Sequence, residues 1–352
     1  PREPVPDAGA AYLTDESRLC GRAERIFFPR SEAELLAVLA AAQSASAPIT
    51  VSGGRTGIVG GAVPEGGWLV SLEAMNKITG LRYDRKADCF HLRCQPGVAL
   101  EALHAAVERK TFPNEQEWDA DSQEALRQLR SGGAWLFPPD PTERSATLGG
   151  MASCNASGAR TFHYGPTRRY VTRLRLALAE GAVLDLRRGI AAATPDGAFE
   201  LELPNGAKRF GRIPGYRMPD VKSAAGYYAL PGMDLLDLFI GSEGTLGVLT
   251  EMDVLLIRAP EIILGVVAFF GSESAALQFV RAARGETVSD KLPQLPAHPL
   301  ALEYFDLNSL NLLREQKAQQ GATSPIPALS PEAHTAVYIE MATTEAELER
   351  SA

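Results

Sequence analysis

A glycine-rich loop directly after a short apolar strand is the feature that most restricts how this chain folds. A strand is predicted over residues 48–52, and Gly53-Gly-Arg-Thr-Gly57 follows it, with Gly60 and Gly61 close behind. Glycine adopts positive φ and admits a ligand close to the backbone, and successive N–H groups in such a loop form a nest for phosphate oxygens. The loop is neither a GxGxxG fingerprint nor a Walker loop, since no helix follows it and no Gly-Lys-Ser/Thr occurs. Taken alone, it fits either a pyrophosphate site or a turn between strands.

Strands and helices alternate around this loop, which predicts an α/β or α+β class. Ser31-Glu-Ala-Glu34 is a capping box for a helix that runs to about Gln43. Residues 111–133 are polar and predict a solvated surface loop with a helix at 122–130, the alternative being a loop that covers a site. Beyond Pro260 we expect a second domain of alternating strands and helices, at 262–270, 273–283, 300–305, 307–316 and 336–341.

Charge and apolar patterning exclude several classes of function. The 352 residues include 35 basic and 43 acidic side chains, for a net charge of -8, which argues against a nucleic-acid partner. The longest apolar runs, such as residues 262–270, are far shorter than the roughly 20 residues of a membrane helix. We therefore expect a cytoplasmic protein, with peripheral attachment to the inner membrane left open.

The four cysteines, Cys20, Cys89, Cys94 and Cys154, form no CxxC pair and indicate free thiols in a reducing compartment. Cys89, His91 and Cys94 stand close together on a predicted strand, where residues 89 and 91 share a face and residue 94 does not. A zinc site needs three or four converging ligands. We therefore expect no metal here.

Three later segments share the small residues and rigid turns of the first loop. Residues 137–142 read Phe-Pro-Pro-Asp-Pro-Thr, and each proline fixes φ. Residues 146–155 supply small side chains and hydroxyls, and residues 241–247 form another glycine-punctuated turn. Four permissive turns with free backbone amides are best explained by one long ligand that contacts all of them.

In this order, the segments resemble the vanillyl-alcohol-oxidase (PCMH) type of FAD-binding domain, and most closely its glycolate oxidase and D-lactate dehydrogenase branch. The resemblance extends over about residues 15–352. The motifs that carry it are Gly53–Val63, Pro138–Thr142, Thr147–Gly158, Tyr164–Arg168 and Ile240–Val248.

The resemblance implies an α+β fold, with a two-subdomain FAD-binding domain over residues 1–259 and a subdomain boundary near 95–135. An antiparallel-sheet cap domain begins at residue 260 and is incomplete at residue 352. The first loop contains no histidine, so we expect non-covalent FAD; the side chain of Arg55 either reaches a phosphate or points to solvent. The expected FAD contacts are Ser52, Gly53, Gly54, Arg55, Thr56, Gly57, Gly60, Gly61, Pro139, Asp140, Pro141, Thr142, Thr147, Leu148, Gly149, Gly150, Ala152, Ser153, Asn155, Gly158, Tyr164, Gly165, Glu243, Gly244, Gly247 and Val248.

The activity that the resemblance implies is oxidation of a small 2-hydroxy acid, such as D-lactate, glycolate or 2-hydroxyglutarate, by hydride transfer to flavin. In that branch a histidine motif and substrate arginines lie in a later segment, so catalytic residues stay unassigned here. The five histidines that do not match that motif are His91, His104, His163, His298 and His334.

We therefore expect either a fragment of the enzyme or a non-catalytic, FAD-carrying subunit of a multi-chain complex. Alkyl transfer to a glycerone phosphate, the reaction of a sister branch, is the less favoured alternative. The electron acceptor is left open, and so are a homodimer and a partner subunit.

Overall fold

The structure is a computed structural model that describes residues 9–286 and 299–351, so His298 lies outside the described residues. It divides into two compact units: Pro1–Ala156 with Pro166–Arg258, and Ser157–Gly165 with Ala259–Ala352. The two subdomains expected within residues 1–259 stay a prediction. No helix in the described ranges has the length and apolar character needed to cross a membrane.

A parallel sheet of three strands opens the first unit. Its strands, in the spatial order first, third, second, are β1 (Arg25–Phe27), β2 (Ile49–Ser52) and β3 (Trp68–Ser71). Helix α1 (Glu32–Ser44) packs on this sheet through Leu35 and Leu39. The predicted start of the helix at Ser31 is confirmed, because Ser31 Oγ accepts the N–H of Glu34 at 3.2 Å; the Glu34 carboxylate in turn accepts the N–H of Arg30 at 2.9 Å.

A larger antiparallel sheet forms the rest of the core of the first unit. Its strands are β4 (Ile78–Asp84), β5 (Cys89–Cys94), β6 (Trp135–Leu136), β7 (Val171–Ala177), β8 (Val183–Arg187) and β11 (Val248–Arg258). They lie in the order β4-β5-β11-β7-β8, and β6 also pairs with β11. A separate antiparallel pair consists of β9 (Ala198–Glu202) and β10 (Lys208–Arg212).

The polar segment 111–133 contains the helix predicted at 122–130, but it packs into the first unit, so its prediction as a solvated surface loop is wrong. It contains helix α3 (Ala120–Ser131), which follows α2 (Leu100–Arg109) and buries Leu126 and Leu129. The indole N–H of Trp118 donates to the carbonyl of Ile78 at 3.1 Å and attaches the segment to β4. The apolar face of α3 is narrow and most of its other residues are polar, so the sequence does not reveal that the segment is packed against the sheet.

The second unit carries the antiparallel sheet that the family resemblance predicts. Its strands are β12 (Ile262–Phe270), β13 (Pro299–Phe305) and β14 (Thr335–Thr343), with β14 in the centre. The remaining helices of the two units are α4 (Leu148–Ser153), α5 (Thr161–Tyr164), α6 (Leu236–Phe239), α7 (Glu273–Ala283), α8 (Leu307–Gln320) and α9 (Glu345–Ser351).

Candidate functional site

The glycine-rich loop begins at the carboxyl end of β2, an edge where ligands of parallel sheets commonly bind. Ser52 is the last residue of β2 and pairs in register with Ser71 of β3. Both hydroxyl oxygens are buried, and neither has a hydrogen-bond partner among the described residues. A buried hydroxyl without a partner is costly, so this edge of the sheet is suited to a polar ligand.

The backbone of the loop offers several free donors. Among the described residues, the N–H groups of Gly53, Arg55, Thr56 and Gly57 donate to no other atom. The N–H of Gly54 is the exception in this stretch, because it donates to Thr147 Oγ1 at 3.2 Å. Consecutive free amides of this kind form a nest that fits phosphate oxygens. The loop therefore fits the pyrophosphate of FAD.

Arg55 lies in this loop with a φ of 58°. Its guanidinium is 4.3 Å from the ring centroid of Tyr12 and 3.6 Å from the carboxylate of Glu73. Burial, together with a 2.7 Å hydrogen bond to Glu73, raises the pKa of the Tyr12 hydroxyl. Only 23% of the Arg55 side chain is exposed, so this side chain does not point to solvent.

The segment from Thr147 to Asn155 lies against the glycine-rich loop. A β-carbon on Gly54 would lie 2.8 Å from the carbonyl oxygen of Ser145, so only glycine fits at that contact. A β-carbon on Gly149 would lie 2.5 Å from the side chain of Pro96, and the Gly149 N–H donates to the Pro96 carbonyl at 2.8 Å. Gly149 thus serves helix packing, as do the buried side chains of Leu148 and Ala152.

The turn at residues 241–247 meets the same two segments. The N–H of Gly241 donates to the carbonyl of Ala152, and the N–H of Glu243 donates to that of Ser153, both at 2.9 Å. A β-carbon on Gly244 would lie 3.5 Å from the Cβ of Val51 in β2, and one on Gly61 would lie 3.4 Å from Glu243. Three of the segments selected from the sequence therefore converge within the first unit.

The other candidate residues differ in their surroundings. Pro139 is buried and Thr142 is exposed, in an irregular stretch that includes Asp140 and Pro141. Val248 is buried, and Gly247 packs against Leu176. The candidates in the second unit are Gly158, Tyr164 and Gly165.

Within the second unit, the carboxylate of Glu340 is held by two side chains. It accepts from Arg160 Nε at 2.7 Å and from the Tyr338 hydroxyl at 2.9 Å. The hydrogen bond from Arg160 lowers the pKa of Glu340.

Arg168 joins two of the converging segments and is not among the residues that the sequence predicts to contact FAD. Its N–H donates to Asn155 Oδ1 at 3.0 Å, and its guanidinium donates to Asp237 Oδ1 at 3.2 Å and to the carbonyl of Ile240. It also lies 4.0 Å from the ring centroid of Tyr228. Burial lowers the pKa of Arg168. The available signal was its place in the Tyr164–Arg168 motif.

Comparison with known families supports the cofactor. Residues 23–117 and 121–187 match the family described as FAD binding domain. The match includes the glycine-rich loop, the Thr147–Asn155 segment and Arg168. The chain therefore carries a FAD-binding domain.

Two curated relatives act on 2-hydroxy acids according to their names. The D-lactate dehydrogenase of Anaerostipes hadrus is 32% identical over 259 residues, which cover 73% of this chain and 41% of the relative. The glycolate oxidase subunit GlcD of Bacillus subtilis (strain 168) is 28% identical over 294 residues, covering 83% of this chain and 47% of the relative. The chain thus spans less than half the length of either relative.

A solved structure of alkyldihydroxyacetonephosphate synthase has the same fold over most of this chain. Its TM-score is 0.58 at 16% identity, with 95% of this chain and 52% of that chain covered. At this identity the likeness concerns the fold alone, and it agrees with the expected α+β architecture. The converging glycine segments and the family match together identify residues 23–187 as a FAD-binding domain, and the chain is similar in sequence to a D-lactate dehydrogenase and to a glycolate oxidase subunit.

Proposed function

We propose that this protein is a FAD-dependent oxidoreductase that oxidises a small 2-hydroxy acid of the D-lactate, glycolate or 2-hydroxyglutarate type. The observation that carries the proposal is the nest of free amides at Gly53, Arg55, Thr56 and Gly57, next to the unpartnered hydroxyl of Ser52. Bound FAD supplies an acceptor for a hydride, and the protein supplies position and charge. In this proposal, these amides donate to the pyrophosphate and hold the cofactor in place.

The segments around the nest complete the proposed cofactor site. Thr147 accepts the Gly54 N–H and so fixes the conformation of the first loop. The contacts of Gly241 and Glu243 with the α4 carbonyls support a place for the 241–247 turn along the same cofactor. The first loop contains no histidine to form a covalent flavin bond, which supports non-covalent FAD.

The substrate class is taken from the relatives' names, since this chain covers only part of their lengths. The residue that removes the hydroxyl proton and the residues that bind the carboxylate stay unassigned. We place the protein in the cytoplasm, either alone, as a homodimer or with a partner subunit. We propose that any attachment to the inner membrane is peripheral, either direct or through such a partner.

The test starts from the purified full-length protein and its visible spectrum. We expect a yellow protein whose flavin is released by denaturation without proteolysis, because the cofactor is not covalently bound. Anaerobic addition of D-lactate, glycolate or D-2-hydroxyglutarate should bleach the flavin absorbance. A colourless protein that takes up no added FAD would contradict the whole proposal.

A second candidate function is that of a FAD-carrying subunit whose chemistry depends on a partner chain. It is favoured by one observation, namely that the Bacillus subtilis relative is named as a subunit. This candidate predicts a yellow protein that no 2-hydroxy acid bleaches until the partner is added. Affinity purification from the native cell, followed by the same bleaching assay on the complex, separates the two functions.

A further inference from the structure

A cluster of metal-ligating side chains lies at the hairpin between β4 and β5, outside the residues assigned to FAD. Asp84, the last residue of β4, pairs in register with Cys89, the first residue of β5. His91 follows on the same strand face, with its Nε2 4.0 Å from the Sγ of Cys89. One ligand atom from each of the three side chains lies within 4.8 Å of the other two. Carboxylate, thiol and imidazole are thus brought together by strand pairing.

Thr172 determines which nitrogen of His91 is available to a ligand. When its hydroxyl donates to the carbonyl of Asp253, 3.3 Å away, the Thr172 oxygen accepts from His91 Nδ1 at 2.9 Å. Nδ1 then carries the proton, and Nε2 presents its lone pair towards Cys89. A hydrogen-bond partner on the second ring nitrogen is how proteins usually orient a ligating histidine.

The other two side chains are also held in place. Asp84 Oδ1 accepts the N–H groups of Lys86 at 3.0 Å and Ala87 at 3.1 Å. Cys89 is 7% exposed, whereas Asp84 and His91 are half-buried. The cluster is therefore buried at the cysteine and partly exposed to solvent at the other two residues.

We propose that Asp84, Cys89 and His91 bind one divalent transition-metal ion, with Zn²⁺ as the best match and water as the fourth ligand. Zinc accepts this mixture of sulfur, nitrogen and oxygen donors. Bond lengths of about 2.0–2.3 Å place the donors of a tetrahedral site roughly 3.3–3.8 Å apart. The three donors must therefore close by only about 1 Å, which small side-chain rotations allow. Binding replaces the S–H bond of Cys89 with an S–Zn bond and releases one proton to solvent.

From the sequence, only ligands along a single strand can be seen to share a face, and on that basis no metal is expected. The third ligand, Asp84, comes from the neighbouring strand, and a one-strand pattern cannot reveal it. Arg82 pairs in register with His91 and contributes a positive charge near the cluster. That charge opposes a cation, so removal of Arg82 should tighten metal binding.

The experiment measures zinc bound to the FAD-containing protein after dialysis against a chelator and then against micromolar Zn²⁺. We expect the parent protein to bind one more zinc per chain than the Cys89→Ser/His91→Ala double variant. Cys20→Ser is the matched control, because Cys20 is a free, exposed thiol outside the cluster, and it should bind as much as the parent. Zinc X-ray absorption should show one sulfur ligand in the parent and none in Cys89→Ser.

Two further variants keep the test independent of folding defects in the double variant. Asp84→Asn retains an oxygen that accepts the Lys86 and Ala87 N–H groups, and it should weaken zinc binding by at least about tenfold. Arg82→Gln should strengthen it. The proposal would be overturned if the parent and Asp84→Asn bound equal amounts of zinc across the titration. It would also be overturned if the zinc X-ray absorption spectrum of the parent showed no sulfur ligand. Neither result bears on 2-hydroxy-acid oxidation, which the bleaching assay tests separately.

Discussion

Gly53 faces the hydroxyl of Thr147 so closely that a β-carbon on residue 53 would lie 2.4 Å from Thr147 Oγ1. The same hydroxyl accepts the N–H of Gly54 at 3.2 Å. Two segments 94 positions apart in the sequence are thus fitted together at the point where the loop offers its free amides.

Gly53→Ala should therefore displace the loop and weaken FAD binding by at least about tenfold, with a stability loss of about 1–3 kcal/mol from overpacking. The measurement is flavin content per protein, together with the thermal midpoint. Gly215→Ala is the matched control, because no atom lies within 4 Å of a β-carbon there. Adding Thr147→Ala to Gly53→Ala removes the clashing oxygen and should restore part of the FAD binding; no recovery would argue against this contact as the cause.

Ser52→Ala should stabilise the FAD-free protein but weaken its binding of FAD. Without FAD, removing a buried hydroxyl that lacks a partner should raise the free energy of unfolding by about 1 kcal/mol. With FAD, loss of a hydrogen bond to a charged phosphate should weaken binding by roughly 10- to 100-fold. Denaturant unfolding of both forms checks this, and Ser71→Ala, its equally buried ladder partner, is the comparison. Unchanged FAD affinity in Ser52→Ala would exclude Ser52 from the cofactor site.

Arg168→Ala should destabilise the first unit by about 3 kcal/mol, because the buried carboxylate of Asp237 loses one of its positively charged partners. Arg188, 3.0 Å from Asp237, remains and limits the loss. Because Arg168 also binds the carbonyl of Ile240 beside the 241–247 turn, flavin content should fall as well. The check is urea unfolding with flavin content measured in parallel. Arg187→Ala, at an exposed strand position, should change neither quantity appreciably.

The Arg160–Glu340 pair should give the second unit a pH-dependent stability. The pKa of Glu340 is below its ordinary value of 4.5 in the folded protein, because it accepts from Arg160. Its contribution is therefore complete above pH 4.5 and is lost as the pH falls through the lower folded pKa. Glu340→Gln should cost about 1–3 kcal/mol near neutral pH, and the difference from the parent should shrink in acid. Thermal midpoints across this pH range measure it; a constant difference would contradict the assignment.

Continuous apolar runs predict two of the strands. Residues 248–257 belong to a strand that is buried on both faces, whereas residues 262–270 form a strand whose side chains are all partly or fully exposed, so the apolar run there predicts the strand and not its burial. The pair β9 and β10 escapes this reasoning, because Lys208–Arg212 is mostly exposed and shows no alternation. Strand β4 is equally hard to predict, because its position depends on its pairing with β5.

The candidate cofactor site is predictable as far as it depends on glycine. Positions that need close backbone approach or positive φ carry glycine, so Gly53, Gly54 and Gly244 could be selected from the sequence. The ion pair between Arg168 and Asp237 has no such sequence signal, since its partners are 69 positions apart and no periodicity connects them. Folding alone brings these two side chains together.

Residues 157–165 interrupt the first unit and are grouped with the second. The chain therefore passes from one unit to the other three times, and a protein shortened after Arg258 keeps α5 but loses β13, against which α5 packs. Truncation after Arg258 therefore leaves α5 without the strand it packs against. The roles of the two units are better studied with point substitutions in the whole chain than with truncated proteins.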